Sequence, residues 1–282
     1  MQVLGIDIGG TGIKGAPVDV TTGQLATERK KIATPRPSTP GAVAEVVKEL
    51  ASSFGWTGPT GATFPGVVTA GTVRTAANVD KSWVGTDAAT AFGEAIGAEV
   101  TVLNDADAAG IAEMTFGAGK GEYGTVLMLT FGTGVGSALF TGGVLVPNTE
   151  FGHIEIRGKD AETRASERGK EAHGWGWKEW SHRVDEYMRR MEALLSPDLI
   201  IVGGGISKES DKWVPLLTGV RARIVTASLH NDAGIVGAAM AAAGIGTAKS
   251  RAPRSAGRAT GTPVAALTPR PARRHPRPAR AN

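Results

Sequence analysis

A strand, a glycine-rich turn and a second strand occur twice in this chain: "QVLGIDIGGTGIKGAPVDV" near the N-terminus and "TVLMLTFGTGVGSALF" in the middle. The repeat, at residues 4 to 20 and 125 to 140, constrains the fold more than any other feature. It requires two antiparallel hairpins whose turns carry almost no side chains. Asp7 stands between Ile6 and Ile8, where a core strand has no use for a charge. Glycine lacks a Cβ and tolerates unusual φ, so consecutive backbone N–H groups can converge on an anion. Gly9, Gly10 and Thr11 in the first turn, and Gly132, Thr133 and Gly134 in the second, are therefore candidate phosphate contacts. Thr11 and Thr133 add hydroxyl donors and Lys14 a point charge. Asp7 is no phosphate ligand but suits a Mg²⁺ ion, through water. The alternative is a pair of tight hairpins that use glycine for turn geometry alone.

Other phosphate signatures fail. "GTGVGS" has the wrong spacing for a dinucleotide fingerprint and leads into a strand. "FGAGKGE" lacks the Ser or Thr after Lys that a Walker loop needs, and reads as a helix stop.

Further along, "QLATERKKIAT" reads as a third strand. "GAVAEVVKELASSF" has helical spacing of Val43, Val46, Val47 and Leu50. "EVTVLND" is a strand that runs into a helix from "DAAGIAEMTF", and "WKEWSHRVDEYMRRMEALL" is a later helix. "DLIIVGGG" is a strand followed by a helix from Ser207, "ARIVTA" is another strand, and a helix covers Ala233 to Ala243. These alternations define an α/β protein.

Three stretches bear chemistry. "LNDADAAG" places Asn104 and Asp105 at a strand end, where a carboxylate can take a proton from a substrate hydroxyl. Asn and Asp are equally favoured there as plain helix caps. Asp107 is expected to face solvent. "PNTEFGHIEI" crowds Glu150 and His153 near a glycine, a set suited to sugar hydroxyls, although a lone His is often structural. Strand alternation places Glu155 opposite Ile154 and Ile156, as a solvated residue. "IIVGGGIS" offers Gly203, Gly204 and Gly205 as a crevice for a nucleotide, or simply as strand-to-helix packing.

Composition narrows the setting. Forty glycines is about twice the usual share of roughly 7%. The absence of cysteine and of a leader-like N-terminus points to the cytoplasm. No stretch is long and apolar enough to span a membrane. From Ala248 onward there are nine basic residues and no acid; without them the net charge of +4 becomes −5. The high pI therefore belongs to the tail and is no sign that the body binds nucleic acid. Residues 248–282 are Pro, Ala and Arg without apolar periodicity and are expected to be disordered. Such a tail is a solvated extension or a loose grip on a polyanion.

"GIDIGGTGIKG", "NDADAAG", "FGTGVGSALF", "NTEFGH" and "IVGGGIS" stand in the order found in the ROK family of bacterial sugar kinases, which residues 2 to about 245 resemble. Within it, "FPGVV", "TAANVDKSW" and "VPNTEFGHIEI" are most similar to the glucokinases that use polyphosphate. The resemblance implies an actin-like, hexokinase-type (RNase H-like) two-domain ATPase fold around a central ligand cleft. The small domain would cover residues 1–115, completed by the helix at 233–245, and the large domain residues 116–232. It implies that Asp105 is the base for the 6-hydroxyl of glucose. Asn78, Asn104, Glu150, His153 and Glu162 would hold the sugar. Gly9, Gly10, Thr11, Lys14, Gly132, Thr133 and Gly134 would contact phosphates, with Asp7 serving Mg²⁺. The donor would be polyphosphate, with ATP as a further one, and mannose a second acceptor; a homodimer is expected. Many members carry a Cys-rich zinc motif after the His; here "RGKDAETRASERGKE" takes its place, so no zinc is expected and packing or subunit contacts hold that segment. The motif begins at Asp7, which leaves no room for the DNA-binding domain of the family's repressors. The alternatives are an ATP-dependent hexokinase, an amino-sugar kinase and a non-catalytic sugar-binding regulator.

Overall fold

The computed structural model describes residues 1–77 and 79–246. Asn78 and the basic segment 248–282, both singled out above, lie outside the described residues. In chain order the elements begin with β1 (Gln2–Ile8), β2 (Ile13–Asp19), β3 (Gln24–Leu25), β4 (Lys30–Ile32), α1 (Pro40–Ser53), β5 (Thr60–Phe64), β6 (Val68–Thr69) and β7 (Thr72–Val73). There follow α2 (Ala88–Ile96), β8 (Val100–Asn104), α3 (Asp105–Phe116), β9 (Thr125–Phe131), β10 (Val135–Thr141), β11 (Val144–Val146), β12 (Glu155–Ile156) and β13 (Lys159–Asp160). The last are α4 (Glu162–Ala165), α5 (Glu167–His173), α6 (Trp177–Leu195), β14 (Leu199–Gly203), β15 (Arg223–Thr226) and α7 (Ala233–Ala242).

The repeated hairpin belongs to a repeated sheet. The first sheet runs β3-β2-β1-β5-β8, with β4 also on β2, and the second runs β11-β10-β9-β14-β15. In each, the opening pair is antiparallel and the next two pairings are parallel. One order, third-second-first-fourth-fifth strand, has therefore been built twice.

The stretch read as one third strand is two short ones, β3 and β4, separated at residues 26–29. The polar, charged run "ATER" cannot bury a face there, and β4 returns to pair with the start of β2. The helix expected from Ser207 is a run of 3-10 turns over Gly205–Lys212. The segment that replaces the zinc motif folds into β13, α4 and α5. It is held by the buried Trp180, whose Nε1 donates to the carbonyls of Ala165 (3.0 Å) and Ser166 (3.2 Å).

Layers follow from which faces are apolar. α1 and α2 cover the outer face of the first sheet through Val43, Val47, Leu50 and Phe92. α6 covers the outer face of the second through Trp180, Val184, Met188 and Met191. Between the sheets lie α3 and α7, and a single core joins Val3 and Val18 to Ile235, Met240, Val126 and Ala138. α7 can lie this close because glycines clear its path. An ideal Cβ at Gly5 or Gly61 would fall 2.0 or 1.8 Å from a carbonyl oxygen of α7, and one at Gly237 would fall 1.7 Å from that of Ala108. Gly5 and Gly61 are register neighbours on β1 and β5, so together they make a smooth floor for the helix. Among the described residues, no helix is long and apolar enough to cross a membrane.

Candidate active site

The first hairpin closes at Ile8 opposite Ile13, with Asp7 opposite Lys14. Cross-strand neighbours face the same side of a sheet, and the Lys14 ammonium lies 3.7 Å from Asp7 Oδ2. Thr63, on β5, donates to Asp7 Oδ1 at 2.9 Å and accepts the Ile8 N–H at 2.9 Å, which fixes the carboxylate's orientation. The second hairpin closes at Phe131 opposite Val135. Thr11 and Thr133 are both exposed at the turn tips.

The turns discriminate between the two readings of their glycines. Neither Gly10 nor Gly132 has a positive φ, and a Cβ at either would meet nothing within 4 Å. Among the described residues nothing requires glycine there, and the bare backbone leaves open space beside each turn. Gly204 is the opposite case: its φ is +86° and a Cβ would fall 2.2 Å from the Phe131 carbonyl oxygen, so the fold alone explains it. Gly203 to Gly205 thus sit against the end of β9, directly behind the second turn.

α3 starts between the hairpins. A Cβ on Gly136, just past the second turn, would touch Ala106 at 3.0 Å. On the other side, the charge of Asp7 reaches Asp105. Burial, then Asp7, with a smaller contribution from Glu150, raises the Asp105 carboxyl to about 7. Asp105 therefore lies at the start of α3, near Asp7 on one side and the strand after the second turn on the other. Asn104 caps α3: its Oδ1 accepts the Asp107 N–H at 3.0 Å, and its Nδ2 donates to the Gly66 carbonyl at 3.2 Å. The capping reading thus holds for Asn104, and it is this cap that aims Asp105.

Asp107 does not face solvent. It is buried, one oxygen accepts the Asn148 N–H at 2.7 Å, and the other has no partner among the described residues. Burial, reinforced by the charges of Asp105 and Glu150, raises it too to about 7. Asp107 shares the helix face of Gly110 and Ile111, which is buried against β10 and α7, so the three- and four-residue spacing overrides its polarity.

The loop after β11 brings in the remaining groups. Ser137 pins it: its Oγ donates to the Thr149 carbonyl at 2.7 Å and accepts the Phe151 N–H at 3.0 Å. Gly152 lies flat on β10, where a Cβ would fall 2.1 Å from the Val135 carbonyl oxygen. Glu150 and His153 then stand 3.7 Å apart, and burial raises the Glu150 carboxyl. Asp160 Oδ2 accepts from His153 Nδ1 at 2.8 Å, and this bond is the main cause of the raised imidazole pKa. Glu162 reaches the second turn, where its Oε2 accepts the Val135 N–H at 3.2 Å. Ligand atoms of His153, Asp160 and Glu162 lie within 4.8 Å of one another. Glu155 is exposed, as its alternation requires.

Asp7, both turns, Lys14, Asp105, Glu150, His153 and Glu162 therefore converge. Thr63, Asp107, Asn148 and Asp160 escaped the sequence reading. Only Asp107 carried a local signal, its register with the apolar face of α3.

Known proteins resemble this chain along most of its length. The sequence model of the ROK family matches residues 3–173. A polyphosphate glucokinase of Mycobacterium tuberculosis is 56% identical over 239 residues, spanning 84% of this chain and 90% of that protein. The inorganic polyphosphate/ATP-glucomannokinase of Arthrobacter sp. strain KM superposes with a TM-score of 0.82 at 49% identity, covering 86% of this chain and 98% of that one. A ROK family glucokinase from Streptomyces griseus, solved with glucose and AMPPNP, superposes with a TM-score of 0.74 at 26% identity, covering 86% and 100%. The duplicated sheet is accordingly that of the actin-like ATPase fold. By the reach of that match and the identity of these relatives, the chain belongs to the ROK family.

Proposed function

We propose that the protein transfers a terminal phosphoryl group from inorganic polyphosphate, and also from ATP, to the 6-hydroxyl of glucose. The observation that carries this reading is the position of Asp105: a carboxylate raised to about 7, at the start of α3, between two turns that bare their backbone to a ligand. A base with a pKa near neutrality keeps enough of its ionised form to accept a hydroxyl proton, and enough basicity to hold it. Phosphoryl transfer asks the protein mainly for alignment and for charge stabilisation. The N–H groups of Gly9 and Gly132 are held by the carbonyls of Gly12 (3.1 Å) and Gly134 (3.0 Å), so the backbone N–H groups of Gly10, Thr11, Thr133 and Gly134, with Lys14, supply the charge stabilisation. Glu150, His153 and Glu162 align the sugar, and Asp160 holds the His153 ring.

The residues fit a hard divalent cation. Asp7 and Asp105 repel one another, among the described residues Asp7 pairs with Lys14 alone, and oxygen ligands are what Mg²⁺ prefers. Asp7 would hold the ion through water, and the ion would neutralise charge on the transferred phosphoryl group.

The two sheets act as two lobes in this reading, residues 1–115 with α7 and residues 116–232, closing on the substrates. Mannose differs from glucose at one hydroxyl and is the further acceptor. A homodimer in the cytoplasm completes the proposal. A second reading, with ATP as the preferred donor, is favoured by one observation. The cavity of about 370 Å³ beside Gly205 is lined by Lys170, Lys208 and Lys212 but equally by Glu167, Glu171 and Glu209. Such a wall suits a nucleoside as well as a chain of phosphates.

One coupled assay tests the proposal: purified protein, glucose, Mg²⁺ and each donor in turn. Steady glucose 6-phosphate formation with polyphosphate is expected, and Asp105→Asn should lower kcat by about 10²- to 10⁴-fold while glucose binding persists. Activity with ATP alone would move the conclusion to the second reading. An Asp105→Asn variant with near-normal turnover would remove the base assignment.

A further inference from the structure

Asn148 makes contacts that nothing in the proposed chemistry uses. Its backbone is left-handed, with φ +59°, a conformation Asn accepts more readily than most residues. Its N–H is held by the buried Asp107. Its side-chain amide bonds to both backbone groups of Val68: Oδ1 accepts the Val68 N–H at 2.9 Å and Nδ2 donates to the Val68 carbonyl at 2.9 Å. Val68 is buried and lies opposite Val73 in the β6–β7 hairpin. The amide therefore acts as a one-residue strand on the free edge of β6.

These bonds form part of a closed circuit. Asn104 ties α3 to the Gly66 carbonyl, two residues before Val68. Val68 is tied to Asn148, Asn148 to Asp107, and the Asp107 N–H back to Asn104 Oδ1. Asp105 lies within the circuit, between Asn104, the cap of α3, and Asp107, which close it. Glu150 is two residues beyond Asn148, on the same loop. The Gly66–Val68 segment belongs to the first half of the chain and the Asn148 loop to the second, so Asn148 joins the two halves beside Asp107.

We infer that Asn148 is a positioning residue: its amide clamps the Gly66–Val68 segment to the loop carrying Glu150 and His153, and so sets the acceptor subsite over Asp105. This rests on the reading of that loop as the sugar-binding one. Two directional bonds to one residue fix both distance and rotation, which a hydrophobic contact cannot do. Among the described residues, no hydrogen bond joins the two glycine turns to the clamp.

Asn148→Gly tests this with least disturbance. Glycine keeps the left-handed backbone and the N–H to Asp107 and removes only the clamp. The expected result is a rise of about 10-fold in the KM for glucose, the cost of about 1.4 kcal/mol, with the KM for polyphosphate within about twofold. Asn148→Asp keeps the shape but sets an oxygen against the Val68 carbonyl; it should impair glucose binding at least as much. Wild-type values for glucose in both variants, or an equal rise in both substrates' KM, would overturn the inference. A measurement on the unaltered protein needs no variant: glucose should slow hydrogen exchange at the Val68 amide, and an amide indifferent to glucose would also overturn it. If the wild-type protein phosphorylates glucose while these results fail, only the clamp is wrong. If it phosphorylates glucose with neither donor, the functional reading falls and the clamp with it.

Discussion

Two groups of glycines can be set side by side: those in the hairpin turns and those beneath α7. Gly10 and Gly132 have open space where a side chain would be, and backbone angles any residue adopts. Gly5, Gly61 and Gly237 have a carbonyl oxygen there, within 2.0 Å of an ideal Cβ. The seam glycines answer to the fold, which needs α7 pressed against β1, β5 and α3. Among the described residues nothing asks for glycine at Gly10 or Gly132, and in the proposed function that open space takes the donor. Composition counts both groups alike, and only neighbours in space tell them apart.

The sharpest way to break this contrast is to add one methyl group at each kind of site. Gly61→Ala and Gly237→Ala should destabilise most, because backbone cannot yield to a Cβ at 1.8 or 1.7 Å. Overpacking of this sort costs about 3 kcal/mol, read as a fall of roughly 6–12 °C in Tm for a domain of this size. A Tm within 2 °C of wild type in both variants would mean the seam can open. Gly10→Ala and Gly132→Ala should leave Tm almost unchanged, since removing glycine where its conformation is not needed is neutral or stabilising by about 0.4–1 kcal/mol. Their effect should fall on the donor, with a KM for polyphosphate raised about 10-fold. Unchanged donor kinetics would return these glycines to turn geometry.

The smallest effect is a pH dependence of the site between the turns. The native Asp105 carboxyl holds its proton up to about 7, whereas the unfolded one releases it near 3.8. Native protein therefore binds the extra proton between those values. The associated stability is complete below about 4 and is lost as pH rises to about 7. Asp105→Asn removes this loss. In EDTA, its Tm relative to wild type should climb by a few degrees between pH 4 and pH 8, while activity is nearly absent. A constant difference across that range would show that Asp105 is not desolvated. The acid limb of wild-type kcat/KM should fall over the same interval, since the base must be ionised to act.

Much of the fold was legible because periodicity is local. The helix at Pro40–Ser53, the β8–α3 junction and both hairpins follow from spacing over a few residues. Asp105 was legible for the same reason, as an acid at the end of an apolar strand. The run Gln24–Ile32 was misread because its apolar residues are too few to show where pairing stops and resumes. Asp107 was assigned to solvent because an Asp beside a capping Asn looks like first-turn decoration. Its burial depends on β10 and α7, which are far away in sequence. Thr63 and Asp160, which orient Asp7 and His153, sit in unremarkable contexts and gave no signal at all.

What the sequence determined by itself was a duplicated hairpin, a carboxylate after a strand and the order of its motifs, and these suffice for family and chemistry. Such features are fixed by neighbours along the chain, where propensity and turn geometry act. The tertiary structure alone decided which glycines the packing requires and which it leaves in open space, where Asp107 lies, and how Asn148 joins the two halves. Each of those depends on distances between residues remote in sequence, which only the folded arrangement of sheets and helices sets.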